Sequence, residues 1–254
     1  MQSLLLAAVV AAAGWRWRWL TADGALAAAL AGAAVLEFGG VRWAAALVVF
    51  FASGSLLTLA GRARKTQPEH RGRGRTAAQV LGTGGVAALV SVLWGTVTWD
   101  ALRPLLPPAF FGALAAAAAD TWATELGLLS PTPPRLLTSG RPVPPGTSGG
   151  VTLPGTAAGA AASALMAAVG VWATGGGWRL FWFICAAGVA AMFIDSLLGA
   201  TVQAVFRRDG ILTEEPGPDT VRIRGVGWIT NSVVNLFATA AGALATAALA
   251  LLWS

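Results

Sequence analysis

Apolar residues run along this chain in long stretches broken by short polar islands. That pattern predicts membrane spans rather than one-sided helices or alternating strands. The stretches lie near 2–15, 22–38, 42–61, 77–97, 108–126, 153–174, 179–206 and 229–253. They predict an all-α fold, a polytopic membrane helix bundle of about eight transmembrane helices. We expect one integral membrane domain over residues 1–254, with cytoplasmic loops near 62–75, 127–152 and 207–228. Ala and Gly recur throughout, and Gly155 with Gly159 forms a small-xxx-small pair that lets helix backbones approach closely in lipid. The segment Glu214-Glu215-Pro216-Gly217 reads as the turn of a short hairpin. No internal repeat is evident, so an inverted-repeat transporter gains no support from that direction.

Composition strengthens this picture. The 254 residues are 56% hydrophobic and 11% charged, against about 25% charged in soluble domains. The net charge of +6 would suggest nucleic acid on a soluble protein. Here the basic residues fall between spans, so they report orientation and no nucleic-acid partner is expected. The loops at 16–18, 62–75, 127–152 and 207–228 hold 14 of the 17 Lys and Arg, the others being Arg42, Arg103 and Arg179. Positive charge marks the cytoplasmic side, which places both termini outside the cytoplasm. No basic residue precedes the apolar run at 2–15, so an uncleaved first helix is favoured over a signal peptide. The single cysteine, Cys185, forms no intrachain disulfide, and there is no Cys/His zinc pattern. Trp15, Trp17, Trp19, Trp43, Trp99 and Trp178 sit near span ends, as interfacial anchors would.

A few polar residues do not fit a purely structural membrane helix. Asp120 and Glu125 lie near the cytoplasmic end of the fifth span, and Asp195 lies deeper in the seventh. A carboxylate at mid-membrane costs roughly 2.5–3.5 kcal/mol on insertion scales, so it needs a cation or a basic partner. Oxygen ligands beside phosphate suit Mg²⁺. Asp195, Gly199 and Gln203 share one side of their helix. Asn231 and Asn235 share a face at the start of the last span, able to serve phosphate, metal or a neighbouring helix. In Pro144-Pro145-Gly146-Thr147-Ser148-Gly149-Gly150, three glycines and two hydroxyls precede a helix N-terminus. That combination suits an anion nest, or a simple turn and cap. Lys65, Arg73 and Arg75 could clamp a nucleotide triphosphate or touch anionic lipid. His70 lacks a Ser or Cys partner and reads as a solvated loop residue. Gly150 to Thr156 has glycine spacing like a Walker A loop but no Lys before the hydroxyl, so phosphate chemistry would need another scaffold.

In order along the chain, Arg75-Thr76-Ala77-Ala78-Gln79-Val80-Leu81, Ala119-Asp120-Thr121-Trp122-Ala123-Thr124-Glu125-Leu126-Gly127, Pro144 to Thr152, Asp195 to Gln203 and Asn231-Ser232-Val233-Val234-Asn235 form a set. With these blocks the chain resembles the integral membrane family that contains plant phytyl-phosphate kinase and human transmembrane protein 19. Thr76 stands where that pattern has Asn, and Gly82-Thr83 replaces a usual Ala-Asn. The cysteine-bearing stretch that some relatives carry in the last loop is absent. The resemblance implies a CTP-dependent prenyl-phosphate kinase, which moves phosphate from a nucleotide triphosphate to an isoprenoid alcohol monophosphate such as phytyl or geranylgeranyl phosphate. It implies Mg²⁺ as cofactor, held or oriented by Asp120, Glu125 and Asp195. Gly146, Thr147, Ser148, Gly149 and Gly150 would hold donor phosphates. Gln203, Asn231 and Asn235 would bind phosphate, metal or nucleotide. Lys65, Arg75 and Arg141 would neutralise charge. The partners implied are the nucleotide, the prenyl-phosphate lipid and membrane lipids, and a homo-oligomer is allowed. Competing readings are a lipid-phosphate cytidylyltransferase, a cation-coupled transporter using Asp120 and Asp195, and polar helix glue.

Overall fold

The computed structural model describes residues 1–61, 74–208, 211–214, 217 and 219–253. Lys65, Arg73 and His70 lie outside the described residues. The described residues form eight helices: α1 (Gln2–Arg16), α2 (Ala22–Ala34), α3 (Val41–Gly61), α4 (Ala77–Thr96), α5 (Leu106–Gly127), α6 (Leu153–Thr174), α7 (Trp178–Thr201) and α8 (Asn231–Leu252). A π-helical turn over Val35–Gly39 extends α2. Helix ends follow local chemistry. Thr76 and Gln79 form a capping box on α4; the Thr in place of Asn keeps an oxygen that can accept from the first turn. Pro107, Pro108 and Pro154 sit in the first turns of α5 and α6, where a missing N–H breaks no bond. Gly175, at φ 69°, ends α6 in a left-handed cap.

The fold is all-α, as the apolar pattern predicts. Among the described residues, six segments are long and apolar enough to cross a membrane: Ala22–Gly39, Val41–Ala60, Ala77–Thr96, Leu153–Thr174, Trp178–Thr201 and Asn231–Leu252. At 15 residues, α1 is about 22 Å long, shorter than a bilayer core of about 30 Å. The centre of the bundle is α5, packed by α3, α4, α6, α7 and α8. Every residue from Pro108 to Ala119 is buried. Its alanines present little but backbone, so neighbours come close. A Cβ on Gly155 would sit 2.7 Å from the Ala123 carbonyl, and one on Gly159 would sit 2.9 Å from the Ala119 carbonyl. The small-xxx-small pair therefore seats α6 on the part of α5 that carries Asp120. A Cβ on Gly112 would strike the Gly242 carbonyl and the Thr246 hydroxyl of α8, and one on Gly242 would strike the Gly112 carbonyl. Gly112→Val should therefore lower the thermal midpoint in detergent, since overpacking costs roughly 1–3 kcal/mol. An unchanged midpoint would contradict this crossing.

Three expectations need correction. Trp43 is no interfacial anchor: it is 5% exposed and stacks on Phe110 at 4.2 Å and Trp94 at 5.9 Å. Gly39 leaves room for its ring to turn inward. The seventh span ends at Thr201, short of 206, because Arg224 takes the Gly199 and Ala200 carbonyls (2.9 and 3.2 Å). Val226 N then bonds the Val202 carbonyl, and Ala204 N bonds the Ile229 carbonyl. Val205 and Phe206 remain buried in a strand, so the apolar run outlasts the helix. Finally, the strands on either side of 214–217 do not pair with each other as a hairpin there would require. β4 (Ile211–Thr213) and β5 (Val221–Arg224) both pair antiparallel with β3 (Val205–Arg208), which lies between them. Glu215 and Pro216 lie outside the described residues. A second ribbon pairs β1 (Arg135–Leu136) with β2 (Gly150–Val151).

Candidate functional site

The described parts of the connections after α1, α3, α5 and α7 meet at one end of the bundle. Arg75 N donates to the Trp19 carbonyl (2.8 Å) and Thr21 N to the Arg75 carbonyl (3.1 Å), which joins the first two. These are the four basic loops of the sequence. At the opposite end, Arg42 at the start of α3 donates to Ala173 O at the end of α6 (3.4 Å). The site end holds a cavity of about 670 Å³ whose wall includes Asp120, Glu125, Asp195, Arg75, Gly146 to Gly150, Gln203, Asn231 and Asn235. Arg141 is not in that wall. Its carbonyl accepts from Leu136 N (2.9 Å) in an exposed turn. Lys65 lies outside the described residues.

Asp120 on α5 and Asp195 on α7 both line the cavity, close enough to act on one another electrostatically. Asn235 of α8, with its amide oriented as donor, reaches Asp195 Oδ2 (2.9 Å) and the Asn231 carbonyl (3.2 Å). Two neighbouring carboxylates repel one another, and a proton or cation between them relieves that repulsion. Glu125 occupies a different wall, where its Oε1 accepts from Thr58 Oγ1 of α3 (2.7 Å) and its charge acts on Arg75.

The glycine loop docks on the end of α7. Gly149, at φ 80°, lies so close that a Cβ there would sit 2.5 Å from Ala200 N. Gly199, in turn, faces Gly149 N at 3.1 Å from its own Cβ position. Gly199 thus admits neighbouring backbone beside Asp195. Gly146 also takes a positive φ, 82°. Two loop N–H groups are used within it: Thr147 N bonds Pro144 O (3.2 Å) and Gly150 N bonds Thr147 O (2.9 Å). Gln203 Nε2 donates to Ser148 Oγ (3.2 Å), and Ser148 Oγ donates to the Glu214 carboxylate. The loop therefore joins α7 to β4.

Among the described residues, Arg75 and Arg224 bring positive charge to the wall. The Arg75 guanidinium lies over Phe50 and Phe51 (5.6 and 5.5 Å) and against Gly54, and its Nη1 is buried with no hydrogen-bond partner among the described residues. Arg224 caps α7, leaving Nε buried and unpartnered. Glu214, Arg224, Thr58 and Gln79 were not singled out for the site from sequence. Glu214 and Arg224 lie in a mixed-charge loop, and nothing local says which charges fold inward.

Among the described residues, the wall carries Asp120, Glu125, Asp195 and Glu214 against Arg75 and Arg224. Such an acid-rich surface repels bare phosphate, but it suits phosphate that arrives with a divalent cation. The donors are all oxygens, as Mg²⁺ prefers, and Mg²⁺ often uses one or two carboxylates with waters and phosphate oxygens. Among the described residues no three His, Cys, Asp or Glu side chains form a ready-made metal cage. The pair Asp120 and Asp195 fits such a shared arrangement.

The profile of integral membrane protein DUF92 matches residues 5–243. Protein PGR of Arabidopsis thaliana is 34% identical over 227 residues, covering 77% of each chain. An uncharacterized membrane protein of Methanocaldococcus jannaschii is 31% identical over 215 residues, covering 84% of this chain and 85% of that one. One from Synechocystis is 29% identical over 219 residues, covering 82% and 75%. No solved structure matches at significance.

Proposed function

The chain belongs to the DUF92 family of integral membrane proteins, and we propose that it is a membrane kinase for prenyl phosphates. It would transfer the terminal phosphoryl group of a nucleotide triphosphate, CTP in our reading, to an isoprenoid alcohol monophosphate. The observation that carries this is the cavity at the basic end of the bundle. There Asp120 and Asp195, a glycine-hydroxyl loop and the buried Arg75 guanidinium line one cavity. The positive-inside rule puts that end in the cytoplasm, where nucleotide is found.

The acceptor oxygen of a prenyl monophosphate is already anionic, so the reaction needs no strong base. The barrier is repulsion between two anions, and positioning with charge neutralisation lowers it. Asp120 and Asp195 would hold Mg²⁺, which when bound screens the donor phosphates. Asn235 fixes the Asp195 carboxylate. Glu125 would orient Arg75, whose free Nη1 would bind the acceptor phosphate. The loop at Gly146 to Gly150 would lie along the donor phosphates, with Gln203 holding Ser148 in place. Asn231 stands at the α8 N-terminus, whose partial positive charge favours an anion.

The test is purified protein in lipid nanodiscs with CTP, Mg²⁺ and phytyl or geranylgeranyl monophosphate. Diphosphate product is expected. No diphosphate across the panel, with substrate flux into liposomes and no nucleotide consumption, would replace the kinase by a transporter.

A further inference from the structure

A second, apolar cavity of about 150 Å³ lies between α1, α2, α3 and α4. Its wall includes Leu6, Val10, Leu36, Leu47, Phe51 and Val80. Among the described residues, the polar side chains in that wall are Arg75 and Thr83, and both also line the polar cavity. The two spaces therefore meet at the Arg75 guanidinium, which rests on the rings of Phe50 and Phe51. At the outer side, Leu6, Val10 and Val48 are 60%, 49% and 45% exposed, so in a bilayer the groove opens sideways to lipid. Gly84 lies in its wall, and a Cβ there would meet nothing within 4 Å.

We propose that this groove holds the isoprenoid tail of the phosphate substrate, with Arg75 as the junction between tail and phosphate. This rests on the prenyl-phosphate reading above and adds where the lipid binds. The shape of the site matches an amphiphile: an apolar slot open to the bilayer, then a guanidinium with an unpartnered buried nitrogen, then the polar cavity. Apolar chains enter such a slot because it removes them from water or loose lipid contact, while the charged end fixes their depth. The route lies on the α1–α4 side of α5, away from the α7 and α8 wall that carries Asp195 and Asn235. Donor and acceptor would thus approach from different sides.

Two measurements on the full chain in nanodiscs test it. In the first, geranylgeranyl phosphate bearing a diazirine on its tail is photolysed and the labelled peptides are mapped. Labelling should fall in α1 to α4, with Leu36 or Leu47 among the sites. Unlabelled geranylgeranyl phosphate should compete, and dioleoyl phosphatidic acid should not. In the second, Gly84→Leu places a side chain in the groove. It should lower kcat/KM for geranylgeranyl phosphate relative to dimethylallyl phosphate by about ten- to two-hundredfold, the range for small size changes in an apolar pocket. Competable labelling on α6 to α8, or an equal effect of Gly84→Leu on both chain lengths, overturns the groove but leaves the kinase standing. Equal competition by phosphatidic acid makes it a general lipid slot and also overturns the proposal. No competable labelling and no turnover of either prenyl phosphate sinks the kinase and the groove together.

Discussion

Asp120→Asn should lower prenyl-phosphate phosphorylation by about 10²- to 10³-fold, the loss expected when one preorganised charge is removed from a phosphoryl-transfer site. The folded protein should be no less stable. Asn has nearly the same shape, and the substitution removes the repulsion between Asp120 and Asp195, which line the same cavity. Activity and stability therefore move in opposite senses, as they do where a site is strained for function. If the carboxylates were helix glue, Asp120→Asn would lower the thermal midpoint and leave the activity of the folded fraction intact. Asp195→Asn should act similarly, and the double variant should lose much less than the product of the two single effects, because both carboxylates serve one cation. Turnover and thermal midpoint measured on the same samples decide between these outcomes.

Arg75→Ala gives the second large effect. A hydrogen bond to a charged group contributes roughly 1.5–3 kcal/mol, so kcat/KM for the prenyl phosphate should fall about ten- to a hundredfold. The backbone at position 75 is held by Trp19 and Thr21, so the chain path should survive removal of the side chain. Arg75→Lys should recover only part of the loss, since an ammonium lacks the planar fork and stacks poorly on Phe50 and Phe51. Steady-state kinetics with varied lipid at saturating CTP is the check. Equal activity of the Ala, Lys and native proteins would remove Arg75 from the site.

Much of the fold is legible in the sequence because a bilayer imposes a simple rule. Apolar runs of the right length must be helices, since no water is present to satisfy an open backbone. The Gly155–Gly159 pair is likewise legible, because close helix contact needs small residues at that spacing. Trp43 is not: its position at a helix start looks interfacial, and only the three-dimensional contact with Phe110 reveals a core residue. Val205 and Phe206 mislead for a related reason, since burial beneath a loop and burial in lipid leave the same apolar trace.

The candidate site shows the same division. Asp120, Asp195 and Asn235 stand out because polar groups in apolar helices are costly, and the bundle brings these three together. The glycine loop stands out through its composition, and its positive-φ residues Gly146 and Gly149 are positions where a side chain would be strained. Glu214 does not stand out. A glutamate in a polar loop costs nothing to place, and its contact with Ser148 depends on strand pairing some distance along the chain. Arg224 is hidden for the same reason, although it closes the end of α7. Arg141 carries the right charge but lies in an exposed turn beyond the cavity wall, so charge type alone did not locate it.

The most direct test follows the label of CTP through the native protein and Asp120→Asn in parallel, with geranylgeranyl phosphate and Mg²⁺. Label from the γ position should appear in the lipid diphosphate with the native protein and fall to a small residue in the variant. Label from the α position appearing in the lipid would instead identify a cytidylyltransferase, and equal γ-label transfer by both proteins would contradict chemistry at the Asp120–Asp195 pair.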